Sequence, residues 1–239
     1  MARRKGSNGV QTAQRILDVS LPLFAQYGYA AVSMRQIADQ VGVNVGAIYN
    51  HFPSKQQILV SHLSDHMKGL IGTWKEHDPR SDPLARLEAF IRFLIRFNLN
   101  RPDAVFISFM ELRSLEPENH VYIEKMRRKY EHDLRDIIQS GMDQNIFKTG
   151  DAHVAAMSVF GSLIGLNTWF KEKGRLSKAT IEDYYLALTL NALGYTDAST
   201  ATAHTKFQID RAENRASNSP KAQRSLVDET RVDSTPSVG

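Results

Sequence analysis

The stretch Ser33 to Lys55, SMRQIADQVGVNVGAIYNHFPSK, restricts what this chain can become more than any other, because it crowds several helix boundaries into one short run. Ser33 with Gln36 three residues on is a capping-box pair, and Ile37, Ala38 and Val41 then fall on one helical face. Gly42 follows where a helix-turn-helix needs its turn. Asn44 can cap a second helix through Ile48, Tyr49 and Phe52, and Pro53 stops it. Ser54, with Gln57 three residues later, caps a third. The middle helix is expected to be about two turns long and isolated at both ends, so it can be offered to a groove.

The rest of the chain reads as helix too. With 239 residues and 42% hydrophobic content it can bury a full core. The chain has no cysteine, which excludes disulfides and thiolate metal sites and suits a reducing cytoplasm. No apolar run reaches the roughly 18 to 20 residues that span a bilayer, and MARRKGSNG has no apolar stretch behind its basic residues. A soluble cytoplasmic protein without a membrane segment is expected. The net charge of +4 is uneven: residues 1–60 carry 6 Lys+Arg against 2 Asp+Glu, residues 61–199 carry 18 against 19, and residues 200–239 carry 6 against 5. The excess therefore coincides with the helix-turn-helix, as a polyanion partner would require, although a merely basic surface has the same signature.

Residues 1–9 are expected to be a disordered arm in which Arg3, Arg4 and Lys5 either reach DNA or stay solvated. A first helix should run from about Val10 to Tyr27 over Ile16, Leu17, Leu23 and Phe24, ended by Gly28. Pro22 removes a donor inside it and crowds the Asp18 carbonyl, which predicts a kink or break near Asp18 to Leu21.

The order AQRILDVSLPLFAQYGYAAVSMRQIADQVGVNVGAIYNHFPSKQQIL resembles the DNA-binding domain of the TetR family of bacterial transcriptional regulators over residues 12–59. The likeness rests on Phe-Ala-x-x-Gly, then Ile-Ala-x-x-Val-Gly-Val, then Ile-Tyr-x-His-Phe-x-x-Lys; Pro22 is the main departure. By matching positions, Val45 and Gly46 would face base edges in the major groove, with Gly46 allowing close backbone approach. The resemblance implies that Tyr49 and His51 contact the DNA backbone or a thymine methyl, and that Ser33, Arg35 and Lys55 meet phosphates. Packing against the first helix is the alternative for Tyr49, and a capping or surface role for His51. Few base-reading donors are present, so sequence preference would come from Asn44 or Asn50, from DNA shape, or from water. One short helix reads few bases, so a palindromic operator bound by a homodimer is expected.

A fourth helix continues from Ser54 through Leu63 and Leu70 to about Trp74, and in the resembled family it carries a ligand-driven movement to the DNA reader. His62 and His66, four apart on it, read as surface residues and not as a metal site. After HDPRSDP, Asp82 caps the helix LARLEAFIRFLIRFNLN, whose Arg92 and Arg96 need acidic partners. DAVFISFMELRSL follows, with Glu111 and Arg113 as charges in an apolar setting. The long helix after Pro117 buries Val121, Met126 or Tyr130, Leu134, Ile137 and Ile138, and Arg127 to Lys129 belong to its wet face. Helices from Asp151 to Lys171 and from about Ser177 to Leu193 each keep a spare face, holding Ser158, Gly161 and Gly165 and then Tyr184 and Leu188. Two such pairs would form a four-helix dimer interface. The expectation is an all-α chain of about nine helices: helix-turn-helix domain 10–55, ligand-binding and dimerisation domain 56–194, disordered tail 195–239.

A second resemblance touches the later half. Glu111 to Leu115, Arg128-x-Tyr130, and Asn167, Trp169, Phe170, Gly174, Leu176 and Ser177 look like the TetR branch that senses acyl-coenzyme A thioesters. It implies a hydrophobic effector in a pocket lined by Phe106, Phe109, Met110, Arg113 and Trp169, with plain core packing as the alternative for most of the aromatic set. No nucleophile elbow, phosphate loop, His-Glu-x-x-His or apolar carboxylate pair is present, so neither catalysis nor a cofactor is expected. The expected function is a DNA-binding repressor released by its effector. The alternative is a helical ligand-binding or structural protein with no operator.

Overall fold

The computed structural model describes residues 7–196. The basic triplet at Arg3 to Lys5 and the tail from Asp197 onward, both expected to be disordered, lie outside the described residues. The helices are α1 (Ser7–Tyr27), α2 (Met34–Val41), α3 (Val45–Tyr49), α4 (Lys55–His77), α5 (Pro83–Leu99), α6 (Pro102–Met110), α7 (Pro117–Asp143), α8 (Ala152–Trp169) and α9 (Lys178–Ala192). A short 3-10 turn, Leu112–Ser114, follows α6, and no strand occurs among the described residues.

Local chemistry accounts for most boundaries. Ser33 Oγ accepts from Gln36 N and Gln36 Oε1 accepts from Ser33 N, closing the capping box of α2. Asn44, Ser54, Asp82, Asp151 and Ser177 each cap the following helix through a side-chain oxygen. Gly28 and Gly42 end α1 and α2 in the left-handed region, at φ 82 and φ 77, where a side chain would be strained.

Four expectations need correction. α1 stays helical across Pro22, so the break does not occur; Pro22 lies on the exposed side, where water can serve the Asp18 carbonyl that it leaves unpaired. α3 spans five residues instead of two turns, since the chain turns at Asn50 and His51 before Pro53 is reached. α6 stops at Met110, and Val121 on α7 is 69% exposed instead of buried. Tyr130, not Met126, carries the buried position of that turn.

α1 to α3 and the first half of α4 enclose one apolar cluster containing Ile16, Phe24, Ile37, Ile48, Ile58 and Leu63. Ile107 of α6 and Ile123 of α7 enter the same cluster, so the helix-turn-helix is seated directly on the later helices. α5 is the second anchor: Leu87, Phe90, Ile91 and Ile95 are fully buried, each worth roughly 1.5 to 3 kcal/mol of apolar burial. Arg92 and Arg96 find acidic partners as expected. Arg96 Nε and Nη2 both donate at 2.7 Å to the two oxygens of buried Glu182, while Arg92 pairs with Glu88 and Asp183. This bidentate pair ties α9 to α5. Helices α1 to α9 form one compact unit that runs to Leu193.

Candidate nucleic-acid interface and effector cavity

α3 is held from behind and open in front. Ile48 is fully buried and anchors it to the cluster, whereas its neighbour Tyr49 is 50% exposed. Asn50, Asn44 and Gly46 are exposed beside it, and Val45 turns partly inward onto the apolar cluster. Asn44 Oδ1 accepts from Ala47 N at 2.8 Å, so the cap uses the oxygen and leaves the amide nitrogen to the outside. A Cβ on Gly46 would stand 3.3 Å from that oxygen, which any larger residue would have to push aside. Ser33 and Arg35 are exposed at the start of α2, with the helix N-terminus behind them. His51 is half-buried beside Gly9 of α1.

Lys55 departs from its expected place. Its ammonium donates to the carbonyls of Tyr29 and Val32 at 2.7 Å and of Ala30 at 3.4 Å, and it sits 4.3 Å over the Tyr29 ring. All three donors are directed at the α1–α2 loop, so in this conformation none is left for a phosphate. Burial lowers its pKa, against the upward pull of Glu111. Lys55 is a clamp on the loop that precedes the reading helices.

The clamp is one member of a polar cluster that sequence reasoning missed. Glu111, at the end of α6, is buried; its Oε1 accepts from Tyr29 N at 3.0 Å and its Oε2 from Ser114 Oγ at 2.7 Å. Gln56, also buried, donates to Tyr29 Oη and to the Ser114 carbonyl, and its Oε1 accepts from Glu116 N. The α1–α2 loop, the start of α4 and the α6–α7 connection are thereby tied together. Only Glu111 gave a signal in the sequence, as an acid among apolar residues; Gln56 looks like any polar helix residue.

His62 and His66 are not surface residues: both are buried, with pKa values lowered to about 4 mainly by burial. The face of α4 that carries them is covered by α1 and by the α5–α6 region, while Gln57, Asp65, Lys68 and Gly72 stay exposed on another face. His62 Nε2 lies 2.8 Å from Ser20 Oγ, and the Phe24 ring meets the imidazole edge-on. His66 packs on Phe97, and Arg101 and Arg127 reinforce its lowered value. Among the described residues no cluster of three or more His, Asp or Glu side chains could hold a metal.

Two cavities adjoin His66. One of about 460 Å³ lies among α1, α4 and the α5–α6 turn, with Leu21, His62, Asp65, Phe97 and Arg101 in its walls. The other, about 60 Å³, lies among α4 to α8 and includes Met67, Leu94, Phe109, Tyr130 and Phe160. The five side chains expected to line a pocket are not brought together. Phe109 lines the smaller cavity, but Phe106, Met110 and Arg113 are exposed and line neither. Trp169 is 51% exposed at the end of α8, beside the ring of Phe170, and lines neither cavity. α6 turns these apolar side chains outward because Val105, Ile107 and Ser108 take its inner face.

The outer faces of α8 and α9 hold the remaining expected residues. Ser158 and Gly161 are exposed, Gly165 and Tyr184 half-exposed, and Leu188 is 62% exposed. A Cβ on Gly161 or Gly165 would meet nothing within 4 Å. α8 has no Asp, Glu, Lys or Arg over its whole length, yet keeps Val154 at 65% exposure. No helix among the described residues is long and apolar enough to cross a membrane.

Residues 16–61 match the model of the bacterial regulatory proteins of the tetR family, and residues 80–193 match the tetracyclin repressor-like C-terminal domain. The transcriptional repressor KstR2 of Rhodococcus jostii is 25% identical over 191 residues, covering 79% of this chain and 93% of that protein. A bacterial regulatory protein in the tetR family from Rhodococcus RHA1 superposes with a TM-score of 0.74 at 25% identity, over 78% of this chain and 99% of that one. AibR, solved with isovaleryl coenzyme A and operator DNA, shares the fold with a TM-score of 0.69 at 24% identity, over 77% and 100% of the two chains. Both Rhodococcus proteins are described as regulators, KstR2 as a transcriptional repressor.

Proposed function

Because the chain belongs to the TetR family of transcriptional regulators, we propose that it is a homodimeric repressor of a palindromic operator, released from DNA by a hydrophobic effector of the acyl-thioester class. The observation that carries this reading is α3 itself: a short helix anchored by buried Ile48 that turns Tyr49, Asn50 and the Asn44 amide outward. Those side chains would read the major groove, while Arg35 and Ser33 on the α2 N-terminus would orient the protein on phosphates. Lys55 leaves the set of DNA contacts and becomes the brace that fixes α2 and α3 relative to α4.

Dimerisation follows from the uncharged α8 and the exposed Leu188 of α9. A second copy would cover Ser158, Gly161, Gly165 and Tyr184 and set two recognition helices about one or more turns of duplex apart. The effector would enter the cavity behind Phe109, displacing α6. That movement would reach the reader through Glu111, Tyr29 and Lys55, a continuous chain of hydrogen bonds. The thioester class is supported by the resemblance in Glu111 to Leu115 and Asn167 to Ser177, and AibR is an example of this fold that holds such a thioester and operator DNA together.

A mobility-shift assay on the DNA upstream of the protein's own gene, at low salt and with and without long-chain acyl-coenzyme A, tests the reading. A retarded complex that the thioester dissolves is expected. No complex on any upstream fragment would favour the alternative of a helical ligand-binding protein without an operator.

A further inference from the structure

Buried polar groups in folded proteins are nearly always hydrogen-bonded, so each orphan calls for a partner. Among the described residues, five enclosed side-chain polar atoms have no hydrogen-bond partner in the protein: His66 Nδ1, Arg127 Nε, Tyr130 Oη and the two amide atoms of Asn167. His66, Arg127 and Tyr130 line the same cavity of about 60 Å³. They come from α4 and α7, so this convergence is produced by the fold and not by one helix.

Resting on the effector reading above, we propose that His66, Arg127 and Tyr130 receive a neutral carbonyl oxygen of the effector, that of a ketone, ester or thioester, and that the site rejects a free carboxylate. All three groups can donate to one acceptor. Arg127 Nε can only donate, and the Tyr130 hydroxyl keeps its proton because burial raises its pKa well above the ordinary value. His66 is neutral in the fold and can present either an N–H or a lone pair at Nδ1, according to its tautomer.

Charge separates a carbonyl from a carboxylate. The Arg127 guanidinium faces Glu124 at 3.7 Å and Glu131 at 3.9 Å, distances too long for good hydrogen bonds but close enough to offset its charge. Glu131 also lines the cavity. An incoming carboxylate at Arg127 would therefore lose its hydration against a cation already offset by two carboxylates, whereas a carbonyl loses far less. Phe109 stacks under the guanidinium at 5.0 Å, and Arg127 Nη1 donates to the Ser108 carbonyl at 3.3 Å, which holds the arginine in place.

The remaining walls suit the hydrocarbon next to such a carbonyl. Met67, Leu70, Leu94, Phe160 and Ile164 are apolar, and Tyr130 is fixed between the Phe90 and Phe160 rings at 5.1 and 5.5 Å. A volume of 60 Å³ holds about two waters, so a carbonyl and its neighbouring carbon fit as the cavity stands, while a longer chain must push Phe109 outward.

Calorimetric titration of the full chain with methyl decanoate and with decanoate, in the wild type and in Tyr130→Phe, tests this. The phenylalanine keeps the ring and removes only the unpartnered hydroxyl, so the fold should be retained. The ester is expected to bind at least tenfold more tightly than the acid anion, and Tyr130→Phe to weaken the ester about tenfold with little effect on the anion. Equal affinity for ester and anion, no binding of either, or an ester affinity unchanged by Tyr130→Phe, as a cavity that holds only water would give, overturns the proposal. Operator binding measured on the same samples keeps the two readings apart. Ester selectivity and its loss in Tyr130→Phe without any release of DNA would uphold the carbonyl site and defeat effector release. Release by a thioester that Tyr130→Phe leaves unchanged would do the reverse.

Discussion

Lys55 shows that a position in a motif does not fix where a side chain donates. A lysine in the first turn of a helix beside a recognition helix invites a phosphate role, yet here its three donors meet three carbonyls. Lys55→Met should therefore lower stability by about 1.5 to 3 kcal/mol, the scale of charge-assisted hydrogen bonds. It should leave the salt dependence of DNA binding unchanged, which a fluorescence-anisotropy titration over several salt concentrations would reveal. A slope reduced by about one would return Lys55 to the phosphate contacts. His62 and His66 were equally illegible, because what buries them is contributed by α1 and the α5–α6 region, far away in sequence. In the unfolded chain each takes up a proton near its ordinary 6.5, but in the fold only at about 4. Between those values the unfolded chain binds more protons, so stability is complete above about pH 6.5 and falls as pH drops toward 4, by on the order of 3 kcal/mol per histidine. Urea midpoints measured across that range should fall with pH in the wild type and less steeply in His66→Asn.

At the scale of elements, the caps were legible and the couplings were not. Ser33, Asn44, Ser54 and Asp82 announce helix starts because a cap is a relation between residues two or three apart. The ties from Glu111 to Tyr29 and from Gln56 to Ser114 span wide gaps in the chain, and no local pattern encodes them. Pro22 leaves α1 unbroken for a related reason: the cost of an interior proline depends on whether the carbonyl that it orphans faces water. Of the apolar residues of α6, Phe109 reaches the smaller cavity while Phe106 and Met110 point outward, because Val105 and Ile107 take the inner side. If the Glu111 link carries movement from α6 to the reader, Glu111→Gln should still bind operator and effector separately but lose most of the coupling between them. Release assays that show undiminished coupling in this variant would remove the link from the mechanism.

For the whole molecule, one compact unit of α1 to α9 presents a reading helix in one region and an uncharged helix face in another. The four-helix interface proposed for α8 and α9 predicts that Leu188→Glu, which places a charge on an exposed apolar position, yields monomers in analytical ultracentrifugation. Those monomers should remain helical by circular dichroism and lose high-affinity operator binding, because each would hold a single half-site. A dimeric Leu188→Glu protein would move the interface elsewhere.

The central claim is that DNA and effector compete through one conformational equilibrium, and linkage makes that claim measurable in a single quantity. Effector affinity should be determined by calorimetry with the protein free and with it saturated by operator duplex. Effector binding on DNA should be weaker by the same factor by which effector weakens operator binding, on the order of 5- to 150-fold. Identical effector affinities in the two states would contradict it.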